Sequence, residues 1–265
     1  MSDKRRIGNS ELEVNAVGLG CMGFSHAYGA PTERKEATNM IRKAFDYGYD
    51  FFDTAECYIG TNADGSTSFN EELVGEALKD VRKHIVVASK FGVQHSDTGL
   101  VMDSRPETIR SAVEGSLKRL GIETIDLYYQ HRIDPRVEPE TVLVIQIDRF
   151  NPQALTKYGK DSKFDAGTDY RSHMPQYTEE GFAAAEELMN LLQGMADEKG
   201  ATTGQISLAW MLCKKPYIIL IPGSRKEDRI KENIGAAKIV MTTEEIEQID
   251  SLLDRMDMPV YGQKR

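Results

Sequence analysis

Asp53-Thr54-Ala55-Glu56-Cys57-Tyr58 is the stretch that decides how this chain is read. It follows an apolar, strand-like run, Tyr49-Asp50-Phe51-Phe52, and sets a carboxylate five positions before a phenol. Two more reactive side chains close later strand-like runs. Lys90 ends Ile85-Val86-Val87-Ala88-Ser89, and His131 ends Ile125-Asp126-Leu127-Tyr128-Tyr129-Gln130. A carboxylate, a phenol, an ammonium and an imidazole, three of them at strand ends, make a set that can move protons. Each alone has an ordinary explanation: a turn cap, a rim tyrosine, a solvated lysine, a core histidine. Their joint occurrence in this order points to a catalytic set.

Composition bounds the rest. A chain of 265 residues can bury a large core as one α/β barrel or as two domains. Its 40% hydrophobic and 28% charged residues are ordinary for a globular protein. No apolar run approaches the ~18 residues a membrane helix needs. The opening Met-Ser-Asp-Lys-Arg-Arg has no apolar region behind it, so no signal peptide and no membrane partner are expected. Cys21, Cys57 and Cys213 are far apart and odd in number, which argues against a disulfide framework and for a cytoplasmic location. They also lack metal-ligand spacing. The net charge of −9 argues against a nucleic-acid surface, so an anionic ligand would need a local basic pocket.

Strands and helices alternate along the first half. Arg5 to Val14 predicts a hairpin turning at Gly8-Asn9-Ser10, and Val14 to Met22 a first core strand. Thr32 is placed to cap a helix that buries Ala37, Met40, Ile41, Ala44 and Phe45, with Gly48 at its end. Ser68-Phe69-Asn70-Glu71 and Ser104-Arg105-Pro106-Glu107 read as capping boxes opening two further helices, the second closed by Gly121. Beyond His131 the alternation fails. A long helix is expected from Thr178 to Gly200, another from Thr203 to Lys214, and a buried strand over Tyr217 to Pro222. Gly223-Ser224-Arg225 then turns into a helix through Asn233, and Thr242-Thr243-Glu244-Glu245 caps the last one.

Such units imply parallel pairing with right-handed helical crossovers. An open sheet binding a dinucleotide would want G-x-G-x-x-G directly before its first helix. Gly18-Leu19-Gly20-Cys21-Met22-Gly23 has that spacing, but Phe24 to Pro31 intervenes before the helix. The pattern therefore favours a (β/α)8 TIM-barrel type, whose reactive groups gather at the C-terminal rim of the strands.

Leu19-Gly20-Cys21-Met22-Gly23, Asp53 to Tyr58, Ser89-Lys90, Leu127 to His131, and Ile221-Pro222-Gly223-Ser224-Arg225-Lys226 followed by Arg229 and Glu232-Asn233 occur in one order. In that order they resemble the aldo-keto reductases. The resemblance covers roughly residues 5–142 and 155–262 on the barrel plan. It implies one aldo-keto reductase-like domain over 1–265 that reduces aldehydes or ketones to alcohols with NADPH. Tyr58 would be the proton donor, Lys90 its tuner, Asp53 the partner of Lys90, and His131 the residue that orients the carbonyl. A lysine at ~4 Å would offer the phenolate about 4 kcal/mol of raw attraction at an effective dielectric near 20. By the same resemblance, Gly20, Cys21, Met22 and Asp53 would meet the nicotinamide end of the cofactor, and Gly223 and Ser224 its phosphates. Arg225 would meet the 2′-phosphate, and Arg229 and Asn233 the adenine. No metal is implied. Phe24 to Tyr28 and Ile59 to Thr67 would shape the substrate site. His26, His84, His95 and His173 suggest no role, and Trp210 is expected in the core.

One interval departs from the family plan. Between about Thr141 and Leu155 the family holds strands five to seven with their helices, and about 60 residues are missing, at roughly 30 or more for each βαβ unit. The expected barrel is thus incomplete, with an irregular junction near 141–157. The strands that would supply the carboxamide ligands and the ring that stacks on the nicotinamide are lacking, and Ile145-Gln146 would be a remnant. Open sheet edges would follow, with association of copies through them. Two functional classes result: a working NADPH-dependent carbonyl reductase, or a non-catalytic relative that binds cofactor or assembles.

Overall fold

The computed structural model describes residues 4–97, 99–137 and 161–256. The chain divides into two compact units. One comprises the described residues of Gly18–Asp148 with Ile221–Ile230; the other comprises those of Met1–Val17, Arg149–Leu220 and Lys231–Arg265.

The second of these opens in the expected hairpin. Strand β1 (Lys4–Arg6) pairs antiparallel with β2 (Glu13–Asn15), across a turn in which Gly8 takes φ +56°. A positive φ there suits the one residue without a Cβ.

The first unit carries the reactive strands. Strand β3 (Leu19–Gly20) and strand β4 (Phe51–Asp53) are followed by a hairpin of β5 (Ile59–Thr61) and β6 (Thr67–Phe69). Strand β7 (Val86–Phe91) comes next, then a second hairpin of β8 (Val93–Ser96) and β9 (Gly99–Met102), then β10 (Leu127–Gln130). The order β10-β7-β4-β3 forms one parallel sheet. Every residue of β4 and all but the first of β7 are buried, as befits parallel strands covered on both faces. Helices α1 (Arg34–Asp46), α2 (Asn70–Leu78) and α3 (Pro106–Leu120) make the crossovers. Helix α1 buries Ala37, Ile41 and Ala44, and Gly121 ends α3 in the left-handed conformation.

Three start signals are used differently from the expectation. Glu33, not Thr32, caps α1 by accepting from the Glu36 amide. Ser68 belongs to β6, and its helix has no side-chain cap. Ser104 accepts a hydrogen bond from Gln130 Nε2 at 2.5 Å instead of capping α3, which keeps Pro106 in its first turn. The first core strand is also shorter than predicted, because Glu13–Asn15 is drawn into the hairpin.

In the other unit the long helix breaks at Ala185 into α4 (Glu179–Ala184) and α5 (Glu186–Lys199). Helix α6 (Thr203–Lys214) follows, then α7 (Glu227–Gly235), which starts among the residues of the first unit, and α8 (Thr243–Arg255). Thr202 with Gln205 and Thr242 with Glu245 form capping boxes for α6 and α8. Leu188, Leu192, Met195, Ile206, Ile249 and Leu252 build one apolar core. Trp210 packs on its edge and donates to Asp250 at 2.9 Å.

The predicted strand over Tyr217 to Pro222 is not formed. One parallel bridge, Leu220 with Val17, stands in its place, and Tyr217 is 67% exposed. The Arg5 guanidinium reaches the oxygens of Leu212, Lys215 and Ile218 at 2.5–2.9 Å, so it takes one carbonyl of the stretch, that of Ile218, and two just ahead of it. Among the described residues the parallel sheet has four strands, and β10 pairs on one side only. The junction at 141–157, with Ile145-Gln146, lies outside the described residues. No helix among the described residues is long and apolar enough to cross a membrane.

Helices α2 and α3 meet at Gly75, where an added Cβ would stand 2.1 Å from the Leu120 carbonyl oxygen. Gly75→Ala should destabilise the fold by about 1–3 kcal/mol, read as a lower urea midpoint at unchanged slope. An unchanged midpoint would mean that the helices do not pack this closely.

Candidate active site

Register places the reactive groups. Asp53 is paired with Ala88, and Lys90 lies two residues further along β7, on the same face. Tyr129 of β10 is paired with Lys90. The side chains of Asp53, Lys90 and Tyr129 therefore converge. Tyr58 reaches them because Ala55 to Tyr58 turns back on itself, the Tyr58 amide donating to Ala55 O at 3.2 Å.

Lys90 is the hub. Its buried ammonium donates to Asp53 Oδ1 at 2.5 Å, Thr54 O at 2.8 Å and Tyr58 Oη at 3.0 Å, which satisfies all three N–H groups. Tyr129 Oη donates to the other carboxylate oxygen of Asp53. Burial disfavours the Lys90 charge, but Asp53 and the two phenols outweigh it and hold the ammonium above its ordinary value. Tyr58 is pushed up to about 12 by burial, with Lys90 pulling down and Asp53 pushing up. Near neutrality the cluster thus holds a protonated phenol against a permanent cation.

His131 follows β10, its amide donating to Phe91 O at 2.8 Å. Its ring meets the Tyr58 ring edge-on, centroids 5.3 Å apart, and its Nδ1 lies 3.2 Å from Cys57 Sγ. Burial first, then Lys90, Arg132 and His26, pull its pKa down to about 3, so the imidazole is neutral. All four residues singled out in the sequence are brought together in one unit.

Several neighbours were not legible there. His26 Nδ1 donates to Ile59 O and His95 Nε2 to Cys57 O, each at 2.8 Å, so two imidazoles bracket the backbone on either side of Tyr58. The His26 ring also stacks near the Tyr58 ring, at 6.0 Å and 20°. Asn70 donates to Cys21 O at 2.9 Å and Ser25 Oγ at 2.8 Å and accepts from Thr54 Oγ1, tying the loops after β3 and β4 together. Glu56 Oε1 accepts from the Gly92 amide at 3.1 Å; burial, against that bond, pushes its carboxyl up to about 7.

The residues named for a cofactor divide between the units. Gly20 and Gly223 touch closely: a Cβ on Gly20 would stand 2.5 Å from Ile221 O, and one on Gly223 would stand 2.9 Å from Gly20 O. The Cys21 amide donates to Asp53 O at 2.8 Å, and the Cys21 carbonyl is held by Asn70. Met22 packs on the cluster of Ala55, Cys57, Tyr58 and Val93. Both carboxylate oxygens of Asp53 are engaged by Lys90 and Tyr129. Ser224 Oγ accepts from the Lys226 amide ahead of α7. Arg225 donates to Tyr28 O at 2.8 Å and Ala30 O at 3.1 Å. Arg229 belongs to the same unit as these, and the buried Asn233 to the other. Among the described residues no group of three or more His, Cys, Asp or Glu side chains is placed to hold a metal.

Comparison with known proteins gives a consistent result. The sequence profile described as "Aldo/keto reductase family" matches residues 16–149 and 151–254. A Glycine max protein named as an aldo-keto reductase is 28% identical over 308 aligned residues, covering 92% of this chain and 87% of its own. A glycerol dehydrogenase of Gluconobacter oxydans superposes with a TM-score of 0.76 at 22% identity, covering 100% of both chains. An aldo-keto reductase of Klebsiella pneumoniae, solved in complex with NADPH, gives 0.63 at 24% identity, covering 100% of this chain and 98% of that one. At such identities the two structures speak to the fold, which is of the (β/α)8 barrel type.

The two displaced pKa values make opposite predictions. The unfolded His131 takes a proton near 6.5 and the folded one only near 3, so the unfolded chain binds more protons in between. The stability this histidine contributes is lost as pH falls through that window. Folded Glu56 holds its proton to about 7 and the unfolded one releases it near 4.5, so its contribution is lost as pH rises through that interval. Plots of Tm against pH should therefore lose part of their acid limb in His131→Gln and gain stability towards pH 7 in Glu56→Gln. Curves parallel to the wild type would contradict the two burials.

Proposed function

We infer the function of this chain from the premise that it belongs to the aldo/keto reductase family, a family of oxidoreductases. Its reaction, in this reading, is the NADPH-dependent reduction of a small aldehyde or ketone to an alcohol. The observation that carries the reading is the 3.0 Å contact between Lys90 Nζ and Tyr58 Oη, inside a cluster that also holds Asp53 and His131.

Tyr58 gives its phenolic proton to the carbonyl oxygen as that oxygen gains charge. The Lys90 ammonium stabilises the phenolate left behind, an electrostatic contribution that grows as the proton departs. Asp53 keeps Lys90 charged and in place, and Tyr129 shares that carboxylate. The neutral His131 hydrogen-bonds the carbonyl oxygen and orients it towards Tyr58.

The residues present fit NADPH in part. The mutual contact of Gly20 and Gly223 brings backbone near backbone at the end of β3. Arg225 holds two neutral carbonyls, contacts that a phosphate would replace with stronger charge-assisted ones. Gly20, Cys21, Met22 and Asp53 would lie at the nicotinamide end, Gly223, Ser224 and Arg225 at the phosphates, and Arg229 at the adenine. When bound, NADPH supplies the hydride that the carbonyl carbon accepts.

A second reading, a non-catalytic relative that binds cofactor or assembles through its sheet edge, is favoured by one observation. The Glycine max alignment runs over 308 positions, more than the 265 residues of this chain, which supports an internal gap.

Calorimetric titration separates the two readings: a reductase binds NADPH more tightly than NADH and then consumes it when a carbonyl is added. Binding without consumption, or no binding to either, leaves the second reading. Tyr58→Phe should lower kcat by about 10²–10⁴-fold with the Kd for NADPH nearly unchanged; undiminished turnover would overturn Tyr58 as donor.

A further inference from the structure

Cys57 precedes Tyr58 in the turn after β4, is 5% exposed, and has its Sγ 3.2 Å from His131 Nδ1. A neutral imidazole carries one N–H and one lone pair, and the partner of one nitrogen decides where the hydrogen sits. The pair can share a hydrogen in two ways. Either the thiol donates to Nδ1 and the ring proton stays on Nε2, or Nδ1 donates to sulfur and Nε2 is left as an acceptor. Sulfur is a weak acceptor and a ring nitrogen a good one, which favours the first arrangement. Both groups are held in the state it needs. Burial pushes the Cys57 thiol up to about 12, and burial pulls His131 down to about 3. The backbone around Cys57 is fixed as well, because its carbonyl accepts from His95.

We propose that Cys57 is a positioning residue: its S–H donates to His131 Nδ1, holds the imidazole as the Nε2–H tautomer, and so presents a hydrogen-bond donor to the substrate's carbonyl oxygen. Only the last step rests on the reductase reading. The cysteine touches no reacting atom and acts through the histidine. Its hydroxyl analogue should replace it, because serine keeps a donor at that position.

Nitrogen-15 NMR of histidine-labelled protein tests the tautomer directly, with His131 assigned by the signals lost in His131→Asn. The wild type should show a lone-pair shift at Nδ1 and an N–H shift at Nε2. Cys57→Ala should lose that bias, and Cys57→Ser should keep it. In carbonyl reduction Cys57→Ala should lower kcat about tenfold with the Kd for NADPH unchanged, and Cys57→Ser should recover most of it. An N–H shift at Nδ1 in the wild type, or a spectrum and kcat that Cys57→Ala leaves unchanged, would overturn the proposal. If Cys57→Ala does not fold, the wild type and Cys57→Ser still decide it. A wild type that reduces no carbonyl would count against the reductase reading alone, because the nitrogen shifts need no turnover.

Discussion

A buried ammonium must find an acceptor for each of its hydrogens, and the turn after β4 is built to meet that demand at Lys90. Asp53, Thr54 and Tyr58 supply the acceptors from within six consecutive residues. Removing one partner of such a buried pair typically costs about 3–5 kcal/mol. The backbone that carries the acceptors is pinned in turn: the Thr54 amide donates to Ala88 O, and Asp53 O receives the Cys21 amide. Parallel register between β4, β7 and β10 does the rest, since it sets Asp53, Lys90 and Tyr129 on one face.

Around that hub lies a layer whose partners are mostly backbone. His26 and His95 each hold a carbonyl beside Tyr58, and Asn70 ties the loops after β3 and β4 together. Further out, Glu71 receives Ser89 Oγ at 2.5 Å and Arg119 at 2.7 Å, linking α2, β7 and α3 beneath the site. The Tyr58 phenol thus rests on polar contacts that are buried and paired, the arrangement in which such networks rigidify rather than cost stability.

Much of this was legible in the sequence, for a physical reason. A strand-like apolar run that gives way to a polar residue announces a reactive group at a sheet rim, as it does at Asp53, Lys90 and His131. Helix ends were read well where the capping side chain had nothing better to do, as at Thr242, and badly where it had. Ser68 was drawn into a hairpin and Ser104 into a bond with Gln130. Tyr217 to Leu220 misled because apolar character says nothing about a pairing partner, and the Ile218 carbonyl goes to Arg5 instead of a neighbouring strand. His26 and His95 were invisible because their partners lie 33 and 38 positions away and are carbonyls, which every residue carries alike.

The burial of the cysteines also bears on chemical durability. Peroxides attack thiolates, not thiols. Burial raises the pKa of both Cys21 and Cys57, so the two buried thiols are kept in the form that oxidants spare. Cys213 is exposed and meets them first. Oxidative damage would therefore mark the surface of this protein before it disturbed the hydrogen bonds that hold the phenol in place.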